Sequence, residues 1–296
     1  MKKLILLFSM AVFAIVGMAA DLFGQEIYRL WPDKAPGETT AVEKRESPRD
    51  IDCPMISVFF PEKEKANGKC MLLFPGGGYA FLSCYPDAFY RAAKYLTEHG
   101  FVSVVLQYRV PRRANLPNYH VAFQDAQRAI RYVRSRAKEW KIDPEKIGAM
   151  GGSAGGHLTV IAAVNSQTDM YPKTDAIDEY PAHLNFAIPL YPAYIVKEEK
   201  ETAGKGICNS LELADTLHFD EKTPPMCLMH GDADLTTTPT GSIALYYKLR
   251  TMGIPADLHI YTGAPHTFVV RQKGPHVGQW LRLAREWTEL KSQKKK

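Results

Sequence analysis

Strong charge imbalance is missing from this 296-residue chain, in which 37 Lys and Arg face 32 Asp and Glu for a formal net charge of +5. Much of that excess sits in the tail at Lys291, Lys294, Lys295 and Lys296, which reads as a solvated terminus. No basic stripe interleaved with aromatics appears, so no nucleic-acid partner is expected. Cysteine is scarce, with five residues at Cys53, Cys70, Cys84, Cys208 and Cys227. Their spacing fits no metal template, and an odd number leaves at least one thiol unbridged. Cys70 and Cys227 lie within apolar runs (KCMLLF and MCLM) and are expected to be buried and inert. Internal repeats, low-complexity tracts and Gly/Ser linkers are also absent, so a single domain is the economical reading. Beyond residue 20 no apolar stretch approaches the roughly 20 residues that a bilayer-spanning helix needs.

The first twenty residues do have a pattern. Lys2 and Lys3 form a short basic region, Leu4 to Val16 an apolar one, and Gly17, Ala19 and Ala20 are small. That order describes a secretory signal peptide, cleaved after Ala19 or Ala20. The remaining segment, residues 21–296, is expected as one α/β domain of roughly 275 residues, long enough to bury a substantial core. A secreted or periplasmic location follows, with no stable membrane association once the signal is removed. Residues 21–55 carry Pro32, Pro36, Pro48 and Pro54 and are expected to form an irregular N-terminal wrap.

From residue 56 short apolar runs alternate with helical patterns. Strands are expected at 56–60, 71–74, 101–106, 146–150, 186–190, 226–229 and 256–261. Helices are expected at 86–99, 121–137, from Ala154 onward, at 242–252 and at 276–290, and 196–222 reads as irregular. The helix at 121–137 is expected to carry its arginines on its outer side. The run at 101–106 is apolar but for Ser103 and rich in β-branched residues, as suits a strand buried on both faces. Alternation at this period implies a mostly parallel central sheet with helices on both faces.

The informative feature is Gly151-Gly152-Ser153-Ala154-Gly155, set between a predicted strand and a predicted helix. G-x-S-x-G in that context describes a nucleophile elbow, in which a tight turn lifts the serine hydroxyl above the sheet edge. The helix N-terminus behind it adds a favourable field for a developing oxyanion. A serine needs a general base and a group to orient that base, and in this elbow context both follow it in the chain. His266, in the loop after the strand at 256–261, stands at a carboxyl end where open α/β sheets hold their sites. His259 falls within a strand, His276 opens a helix, and His230 ends a strand where it would brace the following turn. The acid should come from His230-Gly231-Asp232-Ala233-Asp234, where position alone does not separate Asp232 from Asp234. These residues could also be weighed as metal ligands, but no second ligand cluster supports that. The run Pro75-Gly76-Gly77-Gly78 follows an early strand and suits backbone amides that reach a substrate oxygen.

These stretches together resemble the bacterial α/β-hydrolase carboxylesterases, of the hormone-sensitive-lipase-like and acetylxylan-esterase-like groups. The likeness runs through LWPDKAPGE, LLFPGGGYAFLS, VVLQYRVP, DAQRAIRYVRSRAKEWKIDPEKIGAMGGSAGGHL, PPMCLMHGDAD and HIYTGAPHTF. It implies the α/β-hydrolase fold, a Ser153, Asp234 and His266 triad, oxyanion amides on Gly77, Gly78 and Ala154, and no metal or organic cofactor. Three positions depart from the family's pattern. Pro75 stands where a histidine is usual, Thr267 follows the base where glycine is usual, and residues 235–239 lack the usual valine-proline pair. The LWP and APG opening is similar to that of exported esterases of plant-polysaccharide degraders, which implies an acylated carbohydrate, such as acetylxylan, or a small ester as substrate. Two other readings share the fold: a prolyl-oligopeptidase-like serine peptidase, and a catalytically silent glycan-binding relative. The first would want a large N-terminal domain, and the second sits badly with an intact triad. N-terminal sequencing of the exported protein should begin at Ala20 or Asp21; a chain retaining Met1 to Val16 after export would refute the signal reading.

Overall fold

In the computed structural model the residues described are 25–38, 45–47, 50–83, 88–197, 210–271 and 276–292. The expected signal segment, Cys84 and Cys208 lie outside them.

Eight strands form one sheet: β1 (Glu26–Arg29), β2 (Met55–Phe59), β3 (Cys70–Phe74), β4 (Val102–Gln107), β5 (Ile147–Gly152), β6 (Phe186–Leu190), β7 (Met226–Gly231) and β8 (Ala256–Tyr261). Their order across the sheet is β1-β2-β4-β3-β5-β6-β7-β8. The β1–β2 and β2–β4 pairs are antiparallel and every later pair is parallel. This is the α/β-hydrolase fold, with the mostly parallel sheet that the alternation predicts.

The two faces of the sheet are built by simple alternation along each strand. Cys70, Leu72 and Phe74 of β3 join a core with Val104 and Leu106 of β4, Ala149 of β5 and the apolar sides of α2 (His120–Ser135) and α3 (Ala154–Val164). Met71 and Leu73 point the other way, to Val105, Met150, Ile188 and Met229. There they meet Phe89, Ala92, Ala93 and Leu96 of α1 (Ala88–Glu98). Trp280, Ala284 and Trp287 of the C-terminal helix lie on that face as well. Strands covered on both sides are largely apolar, and β3 to β7 are buried end to end. The helix α4 (Thr240–Thr251) closes the first face against β7 and β8.

Parallel strands place their carboxyl ends on one edge. Phe74 pairs with Gly151, Gly152 with Leu190, and Gly231 with Tyr261. The loops that leave β3, β5, β6, β7 and β8 therefore start side by side.

Three expectations differ from what is seen. The N-terminal wrap is not wholly irregular, because Glu26–Arg29 adds an antiparallel edge strand to β2. The expected helix at 276–290 is broken into a short 3-10 turn, Val277–Gln279, and a helix that begins at Trp280; a further single turn, α5 (Phe268–Arg271), precedes it. The arginines of α2 are not on an outer side. Arg128, Arg131 and Arg134 are buried beneath the segment between α3 and β6. Arg128 donates to Leu30 O at 2.8 Å, to Asp175 at 2.5 and 2.7 Å and to Asp178 at 2.9 Å, while Arg131 stacks over Tyr171. Arg134 donates to the carbonyls of Pro181 and His183. Partners on a distant segment, invisible to helical periodicity, let these cations stay inside.

The Arg128–Asp178 pair is buried on both sides, so removing one partner strands a charge. Breaking such a pair costs about 3–5 kcal/mol. Arg128→Met should destabilise by about that amount in urea unfolding, and Arg128→Met with Asp178→Asn should recover part of the loss. A single variant within about 1 kcal/mol of wild type would refute this account.

Candidate active site

Ser153 sits between the last residue of β5 and the first of α3 at φ 58° and ψ −121°. That backbone region is sparsely populated by residues with a Cβ and costs about 1–3 kcal/mol unless its surroundings hold it. They do so here. The Ser153 amide donates to Leu190 O at 3.1 Å, and its carbonyl accepts from His157 N at 2.9 Å and Ala193 N at 3.2 Å. Two glycines make the turn sterically possible. A Cβ on Gly151 would overlap Gly155 O, and one on Gly155 would overlap the carbonyl oxygens of Phe74 and Pro75. The small residues two before and two after the serine are thus required by backbone passing backbone, as the motif implies.

His266, in the loop after β8, brings Nε2 to 3.0 Å from Ser153 Oγ. Its Nδ1 lies 2.7 Å from Asp234 Oδ2. Three residues predicted from separate loops therefore form one hydrogen-bonded line. Asp234 is the acid that meets the imidazole. Asp232 is exposed and accepts instead from Gly263 N at 2.5 Å. Asp234 is only 1% exposed. Burial would raise its pKa, but hydrogen bonding to His230, His266 and the Thr237 amide outweighs this and holds the carboxyl well below its ordinary value. An ionised Asp234 can accept from Nδ1–H, which leaves Nε2 as the bare nitrogen facing the serine.

The acid loop has features that residue spacing did not reveal. Thr236 N and Thr237 N donate to Asp234 Oδ1 at 2.8 and 2.9 Å. The Thr237 hydroxyl lies 2.9 Å from Asp234 Oδ2, 3.1 Å from His266 Nδ1 and 3.2 Å from Tyr191 O. The departure at 235–239 from the family pattern is the signal that could have pointed to Thr237. His230 braces the turn as expected, with Nε2 2.8 Å from Thr237 O and Nδ1 2.8 Å from Ser242 Oγ. Tyr191 packs edge-on against the His266 ring at 5.0 Å and against Phe268 at 5.3 Å, which fixes the imidazole from the side. Among the described residues no group of three or more His, Cys, Asp or Glu converges to hold a metal.

The glycine run lies against Ser153. A Cβ on Gly76 would stand 3.3 Å from Ser153 Cβ and 2.9 Å from Gly152 O. Gly77 has φ 130°, and a Cβ there would overlap Phe81 O. The backbone hydrogen bonds of this loop run into its carbonyls, from Ala80 N and Phe81 N to Gly77 O and from Ser83 N to Gly76 O. Among the described residues no backbone carbonyl accepts from the Gly77 or Gly78 amide. Ala154 opens α3, where helical geometry offers its N–H no partner. The three candidate oxyanion donors thus sit on two segments that meet beside Ser153.

Residues 56–249 match the BD-FAE family. The chain belongs to that family. An acetylxylan esterase from Xylanibacter ruminicola is 29% identical to this BD-FAE chain over 226 residues, covering 71% of the chain and 42% of that protein. The chain spans less than half the length of the curated relatives it matches. Among solved structures, the acetyl ester-xyloside bifunctional hydrolase from Caldicellulosiruptor lactoaceticus superimposes with a TM-score of 0.70 at 23% identity, over 90% of this chain and 96% of that one. Esterase 2 from Thermogutta terrifontis, phosphorylated by paraoxon, does so with a TM-score of 0.68 at 26% identity, over 90% and 94%.

The depressed pKa of Asp234 has a thermodynamic sign. Its ionised form stabilises the BD-FAE fold above the unfolded carboxyl value of about 4, and that stabilisation is lost as pH falls below it. The gap in Tm between wild type and Asp234→Asn should therefore be widest above about pH 4 and narrow towards pH 2. A gap independent of pH would show that the hydrogen bonds at Asp234 do not favour its charge.

Proposed function

We propose that this BD-FAE chain is a serine esterase acting outside the cytoplasm, secreted or periplasmic, on short-chain and chiefly acetyl esters of a plant polysaccharide such as acetylxylan. The observation that carries the reading is the line from Asp234 through His266 to Ser153, at 2.7 and 3.0 Å, ending on a serine held at a strained elbow.

The chemistry follows from that line. His266 Nε2 takes the hydroxyl proton as Ser153 Oγ bonds to the ester carbonyl carbon. The carbonyl oxygen gains negative charge, which the amides of Gly77, Gly78 and Ala154 and the N-terminus of α3 stabilise. Asp234 stays ionised, keeps the proton of the neutral ring on Nδ1 and stabilises the imidazolium. The bond to the alcohol oxygen then breaks, and Nε2 returns its proton to the leaving alcohol. Water enters, gives a proton to Nε2 and attacks the acyl carbon, and as the bond to Ser153 Oγ breaks Nε2 returns that proton to Oγ, freeing the acid and the serine.

The names of the relatives support the substrate class, since one is an acetylxylan esterase and another an acetyl ester-xyloside hydrolase. The site's rim supports it independently. Ala193 N is bonded to the Ser153 carbonyl, and the next residue, Tyr194, is 40% exposed and stacked on Tyr79. A half-open aromatic face at that place suits the C–H face of a sugar ring.

Ser153→Ala should lower kcat on p-nitrophenyl acetate and acetylated xylan by about 10⁴-fold or more. It should also abolish labelling by a fluorophosphonate probe. Near-wild-type hydrolysis by Ser153→Ala would overturn the mechanism. Turnover of short p-nitrophenyl esters with no acetate released from acetylated xylan would overturn the polysaccharide assignment.

A further inference from the structure

We infer that Tyr79 and His157 act as positioning residues, forming a clamp that sets the distance between the two halves of the oxyanion hole. The inference rests on the reading of Ser153 as nucleophile and goes beyond it.

The hole draws its donors from two separate pieces of chain, the glycine run after β3 and the first turn of α3. Such donors must hold their positions to within roughly half an ångström to act on a developing charge. Tyr79 follows Gly78 directly, yet its hydroxyl reaches across to α3, 3.0 Å from the carbonyl oxygen of Ala154 and 2.8 Å from Nδ1 of His157. A side chain of the first donor segment is thereby tied to the residue that supplies the second donor. Tyr79 is 1% exposed, and its backbone at φ 60° is in the left-handed region. Its own carbonyl accepts from Arg112 N at 2.7 Å, so the residue is gripped at both ends.

The protons in this pair can be assigned. His157 lies on α3 one turn beyond Ser153, is 1% exposed, and is ringed edge-on by Tyr79, Tyr119 and Tyr194 at 5.5 to 5.9 Å. Burial keeps it neutral by pushing its pKa down to about 3. Among the described residues its Nε2 has no hydrogen-bond partner. If Tyr79 donated to Nδ1, the ring proton would sit on Nε2 as an orphaned buried N–H, which proteins rarely tolerate. With the proton on Nδ1, His157 donates to the Tyr79 hydroxyl and Tyr79 donates to Ala154 O. Nε2 then holds only a lone pair. Both protons are used, and the tyrosine is locked in the orientation that ties it to Ala154. His157 therefore works through Tyr79, and Tyr79 through the backbone that carries the amides.

A clamp of this kind acts on the transition state more than on the bound ester. Tyr79→Phe should lower kcat on p-nitrophenyl acetate by about tenfold to a hundredfold, with KM within about threefold. Trifluoromethyl ethyl ketone, whose adduct with the serine places an oxyanion in the hole, should lose affinity by a matching factor. His157→Leu should behave like Tyr79→Phe, and His157→Asn, whose amide can donate to the same hydroxyl, should recover most of the rate. Tm is measured on each variant, and if Tyr79→Phe fails to fold, the His157 pair carries the test. Loss confined to KM, unchanged ketone affinity, or equal rates for His157→Leu and His157→Asn would each overturn the clamp. In all of these cases an inactive Ser153→Ala leaves the nucleophile standing, whereas an active Ser153→Ala overturns the nucleophile itself.

Discussion

Behind Ser153 the backbone is so closely packed that neither Gly151 nor Gly155 can carry a side chain. The first turn of α3 presses Gly155 onto the carbonyls of Phe74 and Pro75, and Gly151 lies beneath Gly155 O. This contact fixes where α3 begins, and so where its N-terminus points. It also fixes where the chain leaving β3 must run, because Pro75 cannot move without α3. The glycine run is in consequence delivered beside Ser153. The elbow, the helix field and the loop amides are three consequences of one packing contact, which is why a strained serine backbone can persist there.

Around that contact the molecule uses buried polar groups to hold loops that apolar packing alone would leave free. The acid loop after β7 is tied down by His230, which spans from Thr237 O to Ser242 on α4. Its two following amides point into the Asp234 carboxylate. A carboxylate with this many donors stays charged inside the protein, and only a charged one can orient the imidazole. A similar device works further away. Arg109 is fully buried, and it accounts for Asp125, Glu38 and Gln124 as well as the carbonyl of Pro36, pinning the N-terminal segment to α2. Charges are kept inside where each has several geometric partners, and they connect segments far apart in the chain.

Much of the frame was legible because its physics is local. A strand covered on both faces is largely apolar, so β3 to β7 stood out in the residue pattern. The face of α1 followed from helical spacing, and Phe89, Ala92, Ala93 and Leu96 are the residues that it buries. The edge strand β1 was not legible, since EIYR is short, only partly buried and neither alternating nor uniformly apolar. The arginines of α2 misled for a related reason. Helical periodicity assigns charge to the solvent side, and it contains no information about Asp175 and Asp178 folding back to cover them. The 3-10 turn ahead of the last helix left no trace in the pattern of apolar residues.

The same division runs through the site. By itself the sequence determined the elbow, because G-x-S-x-G between a strand and a helix leaves one steric solution for the backbone. It also determined that a histidine and an acid would follow at the carboxyl ends of later strands. Asp232 and Asp234 remained equivalent by position, and only family likeness favoured the second. Tertiary structure separated them, because the turn after β7 directs Asp232 outward to Gly263 N and tucks Asp234 under His266. Thr237, Tyr191 and the Tyr79–His157 pair likewise emerged only once distant loops were packed together. Their hydrogen bonds join residues separated by dozens of positions, and distances of that kind are set by the fold as a whole.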